Sequence, residues 1–110
     1  MNPEPRNGAR YQSDRATEIV AHEAALFITR EAGTESLITV TKAVSTKHGD
    51  QIRVFVSVFP VEKARAALAF LERQREAFSN HLKKRTHMRI PRVDFLLENG
   101  EHLGGPSETR

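Results

Sequence analysis

The residues best equipped for chemistry in this chain are cationic, and they crowd into one stretch. Between positions 73 and 92, Arg73, Arg75, Lys83, Lys84, Arg85, Arg89 and Arg92 are opposed only by Glu76, and His81 and His87 add hydrogen-bonding capacity. Positive groups on a helix end, the loop after it and the start of a strand can converge on a phosphate backbone, where each neutralised phosphate releases counterions. The plainer reading is a solvated face, with Lys83, Lys84 and Arg85 placed favourably at a helix C-terminus. Basic clusters are common, so the charge run by itself leaves both readings open.

Other chemistries lack a template. The five histidines, His22, His48, His81, His87 and His102, form no HxxxH pair. With no cysteine there is no thiolate nucleophile, disulfide framework or cysteine-ligated zinc. No GxSxG elbow, GxxxxGK loop or GxGxxG cradle is present. His22 lies four residues from Glu18 and is expected to share an exposed hydrogen bond with it. No enzyme activity, metal, cofactor or small-molecule substrate is therefore expected. The lack of cysteine fits a reducing compartment, and residues 1–12 lack the apolar core of an export signal, so a cytoplasmic location is expected. Apolar runs such as residues 54–61 fall far short of the ~20 residues that span a bilayer. A formal charge of +3 over 110 residues leans toward polyanionic partners without demanding one.

The elements that must position the cations follow from periodicity. A chain of this length holds one domain, expected at residues 13–99 between a flexible arm at 1–12 and a flexible tail at 100–110. Ser13 can cap a first helix with Asp14 in its first turn. Ala16, Ile19, Val20, Glu23, Ala24, Phe27 and Ile28 then recur at mostly helical spacing, with Glu23 expected at the stripe's edge. Gly33 after Ala32 predicts a left-handed stop. Residues 36–46 predict a strand, with Ile38, Val40 and Val44 facing away from Thr39, Thr41 and Lys42. His48, Gly49 and Asp50 supply turn chemistry. Residues 51–59 form the hairpin partner, with Ile52, Val54, Val56 and Val58 on one face and Arg53, Phe55, Ser57 and Phe59 on the other. Phe55 and Phe59 could stack on unpaired bases. Yet a chain with six phenylalanines and no tryptophan needs its rings for burial, so both are expected in the core.

Pro60 ends that strand, and the proline- and glycine-free run to about Lys84 predicts a helix. Its stripe of Ala64, Ala67, Leu68, Leu71, Phe78 and Leu82 is interrupted at Arg75, which predicts a bend, or two helices, near residues 75–79. A last strand falls within residues 88–98, with Val93, Phe95 and Leu97 opposite Arg92, Asp94 and Leu96. The order is α-β-β-α(kinked, or α-α)-β. It predicts an α+β fold of two layers, a three-stranded sheet with helices on one face.

The helix ending TREAG, the strands ITVTKAV and RVFVSVF and the closing RIPRVDFLLE resemble, in order and spacing, the ribosome-binding factor A family. The likeness covers about residues 15–98. Its most telling pieces are Val56, Ser57, Val58 and Phe59, and the cluster Arg89, Ile90, Pro91, Val93 and Phe95. The resemblance implies a type II KH-like fold in which the GxxG loop is replaced by a helical kink with an AxG motif. Here that segment reads Arg75, Glu76, Ala77, Phe78, so alanine stands where glycine is expected. The acidic, serine-bearing motif after the last strand is replaced by Glu98, Asn99, Gly100 and Glu101, and no longer C-terminal interaction tail is expected. As partner the resemblance implies the immature small ribosomal subunit and its 16S rRNA, with maturation and rRNA processing assisted by binding, and the chain is expected to be a monomer. The alternative is a protein-interaction module that accepts another strand at an exposed sheet edge.

Overall fold

The alternation of Ile52, Val54, Val56 and Val58 puts four β-branched side chains on one face of a strand, and that strand, β2 (Gln51–Phe59), is the centre of the sheet. Strand β1 (Leu37–Ser45) pairs with it antiparallel and β3 (Arg92–Leu97) parallel, giving a mixed sheet in the order β1-β2-β3. The hairpin turn closes with Gly49 N donating to the Thr46 carbonyl at 2.9 Å and Thr46 Oγ1 donating to Asp50 at 2.7 Å. Gly49 has φ +72°, a left-handed conformation that glycine adopts without a Cβ clash. This computed structural model describes residues 15–46, 48–86, 89 and 92–98. The expected cap at Ser13 and Asp14, the arm, the tail, and His87, Met88, Ile90, Pro91, Asn99 and Gly100 lie outside those residues.

Helices α1 (Arg15–Glu31) and α2 (Ala64–Arg85) bury their apolar stripes on one face of the sheet, and a short 3-10 turn, Val61–Lys63, leads into α2. The fold is thus the expected α+β pair of layers. Val20, Ala24, Phe27 and Ile28 from α1 meet Ala64, Leu71, Phe78 and Leu82 from α2 over Ile52, Val54, Val56, Val93, Phe95 and Leu97. Phe78 is fully buried at the junction, its ring centroid 5.2 Å from Phe27 and 5.8 Å from Phe95.

Four local expectations are corrected. First, α2 is one helix of 22 residues, and the helix continues unbroken across Arg75 to Ser79, so the two-helix alternative is not realised. Alanine at 77 accepts the helical interior that glycine would weaken. Second, α1 ends at Glu31 without a left-handed glycine. Gly33 instead leaves room for Glu35, whose Oε1 would stand 2.6 Å from a Cβ placed there. Third, a β-bulge at Thr41 shifts the β1 register, so Ala43 and Ser45 oppose Val54 and Ile52, while Val44 turns to the outer face opposite Arg53. Fourth, the Phe55 and Phe59 rings are not in the core. Both lie on the helix-free face, Phe55 half-buried and Phe59 73 % exposed.

Because Phe78 packs on both the Phe27 ring of α1 and the Phe95 ring of β3, Phe78→Ala is expected to destabilise the domain by about 3–5 kcal/mol in urea unfolding. A loss below about 1 kcal/mol would place the joint elsewhere.

Candidate nucleic-acid interface

Successive helical residues are about 100° apart, so Arg73 and Arg75 leave α2 on opposite sides. Arg75 occupies the inward row between Leu71 and Phe78, where an apolar residue was due. Its Nη1 lies 2.7 Å from Asp94 Oδ1 on β3 and 3.3 Å from Glu72 Oε1. The same carboxylate accepts from Arg92 Nε at 3.2 Å and from Gln51 Nε2. Burial pushes the Asp94 carboxyl up, but the hydrogen bonds of Arg92 and Gln51 and the charges of Arg92 and Arg75 outweigh it and hold the group below its ordinary value.

The break in the α1 stripe has a matching explanation. Glu23 is not at the edge as expected but 7 % exposed, facing α2. It accepts from His81 Nε2 at 2.9 Å and from Arg85 Nε and Nη2 at 3.3 and 3.4 Å. The His81 ring stands 5.5 Å from Phe27 and 6.1 Å from Phe78, which walls this contact with aromatic surface. Burial again works against the charge, yet the bonds from His81 and Arg85 and the Arg85 charge leave the Glu23 carboxyl lowered.

Of the seven cations singled out in the sequence, Arg75, Arg85 and Arg92 are therefore engaged by internal carboxylates. Arg73 turns to another side and lines a cleft of about 460 Å³ with Gly33, Glu35, Ser36, Lys63 and Phe70. Lys83, Lys84 and Arg89 are exposed and have no ion pair among the described residues. The opposing acids Glu23, Glu72 and Asp94 all lie outside the window that made the cations look unopposed. Glu23 carried a signal, an acid inside an apolar stripe. Asp94 carried none, because alternation on a strand makes an outward acid ordinary. The expected Glu18 contact of His22 is not seen, and His22 is exposed. Among the described residues no group of three or more His, Asp or Glu could hold a metal ion, and no helix is long and apolar enough to cross a membrane.

Both carboxyls are lowered in the folded state, so the unfolded chain binds their protons more tightly. The stability they contribute is present above the ordinary carboxylate range and is lost as pH falls through it. Urea midpoints are expected to hold between about pH 7 and 5 and to fall below about pH 4. The fall should be shallower in Asp94→Asn, and an identical acid profile for wild type and variant would contradict the assignment.

No protein-family model and no curated protein matches the chain. Among solved structures, the crystal structure of ribosome-binding factor A from Thermus thermophilus is 26 % identical, with a TM-score of 0.67 over 77 % of this chain and 93 % of that one. In its KH-like α+β architecture, the chain has the fold of ribosome-binding factor A.

Proposed function

We propose that the chain is a ribosome-binding factor of the cytoplasm that acts as a monomer on the immature small ribosomal subunit. It grips the 16S rRNA and assists maturation and rRNA processing through binding and release, with no bond made or broken. The observation that carries this reading is the set of exposed cations with no ion pair among the described residues at the C-terminal end of α2 and just beyond it, Lys83, Lys84 and Arg89, on a ribosome-binding factor A-like fold. Arg75, Arg85 and Arg92 join that grip only where a phosphate displaces Asp94 or Glu23.

Three free cations set the scale of the salt response. With about three phosphates neutralised, log affinity should fall against log salt with a slope near −2, by the single-strand release estimate. Lys83→Glu with Lys84→Glu is expected to abolish co-sedimentation with immature small subunits and leave the circular-dichroism melt almost unchanged. Arg85 is kept in this variant, because a glutamate there would face Glu23 across α1 and α2. Retained co-sedimentation would move the interface away from the end of α2. Asp94→Asn should do the opposite, raising rRNA affinity and steepening the salt slope as Arg75 and Arg92 lose their internal anion. An unchanged slope would show that these arginines stay out of the contact.

A further inference from the structure

The face of the sheet turned away from both helices carries two rings in one row. Phe55 and Phe59 alternate with Arg53 and Ser57 on β2, about 13 Å apart along the strand. Phe59 is 73 % exposed, and its cross-strand neighbour Leu37 is 65 % exposed. Lys42, opposite Phe55 on β1, holds its ammonium 5.1 Å from the centre of that ring. Arg53 is exposed and has no ion pair among the described residues. Among the described residues of β3 and its end, Asp94 and Glu98 bring carboxylates to this face. Asp94 is occupied by Arg75, Arg92 and Gln51, and Glu98 accepts from Thr41 Oγ1 at the bulge.

We propose that this helix-free face is a second RNA site, which takes an unpaired, single-stranded segment. One base stacks on the open Phe59 ring, a neighbouring base packs against the Lys42 and Phe55 pair, and phosphates lie against Lys42 and Arg53. Every base has a π-face, so such stacking tolerates sequence, and sheet-borne rings in RNA modules hold about two or three bases over comparable spans. Glu98 repels phosphate and accepts from exocyclic amino groups, so it turns the backbone toward Lys42 and Arg53 and the base edges toward itself. A purely aliphatic patch would suit a protein partner, but here an aromatic row beside Lys42 and Arg53, neither in an ion pair among the described residues, favours a polyanion with flat bases. The inference rests on the chain being an RNA binder, and adds a surface on the opposite layer from the cations of α2.

The chain contains no tryptophan, so Phe59→Trp gives a single emission reporter at the proposed stack. On titration with a single-stranded polycytidine oligonucleotide its emission should be quenched, and the quench should persist when Lys83 and Lys84 are replaced by glutamate. Phe59→Ala should weaken the oligonucleotide about tenfold with an unchanged melt, since the ring is mostly in solvent, while Phe59→Tyr retains binding. If wild type binds rRNA yet Phe59→Trp shows no quench and Phe59→Ala no loss, this site is overturned and the reading of the α2 end stands. If wild type binds no RNA of either kind, both fall. Loss of self-association in Phe59→Ala, with RNA affinity unchanged, would assign the face to protein contact and overturn the proposal.

Discussion

Asp94 holds the middle of α2 to the sheet. Arg75 reaches it from the helix, Arg92 from its own strand and Gln51 from β2, so one carboxylate joins three elements. Glu23 does the same between the two helices, through His81 and Arg85. Desolvation offsets most of the attraction in such contacts, so each adds little net stability, while removal of one partner leaves a costly unpaired charge. These two carboxylates also decide which cations are left without an internal ion pair. They engage Arg75, Arg85 and Arg92, of which Arg85 and Arg92 stay exposed, and leave Lys83 and Lys84 at the end of α2 without an ion pair among the described residues.

The stripe of α2 shows why that end is available. Ala64, Ala67, Leu71, Phe78 and Leu82 are buried against the sheet and α1, which fixes the rotation of the helix about its axis. Lys83 and Lys84 then have nowhere to go but solvent, and their position in the last turn is favourable to the helix dipole as well. Holding the helix and displaying charge are thus met by the same sequence, without strain between them.

Strands and helices were largely legible in the sequence because their signals are local. β2 was found at its observed bounds, since strict alternation of β-branched residues between a turn and Pro60 has few other solutions. The interruption at Arg75 was legible as an anomaly but not as its cause, because the partner Asp94 lies 19 residues away on another element. The flip of Val44 escaped for the same reason. A bulge depends on how β1 meets β2, and nothing within β1 announces it. Composition puts Phe55 and Phe59 in the core, whereas the face they occupy is set by β2's alternation and by both helices packing on the other side. Counting charges within a window misled most, since folding brings Glu23 and Asp94 to arginines that look free.

Arginines held by carboxylates stand apart from cations that have no ion pair among the described residues at the end of α2. Ultraviolet crosslinking of the full chain on purified immature small subunits, followed by identification of the RNA-bearing residues, tests that division most directly. RNA adducts at Lys83, Lys84 and Arg89, with few at Arg85, are the result predicted. Adducts confined to the α1 surface around His22 and Thr29, or no RNA adducts on a bound chain, would contradict it.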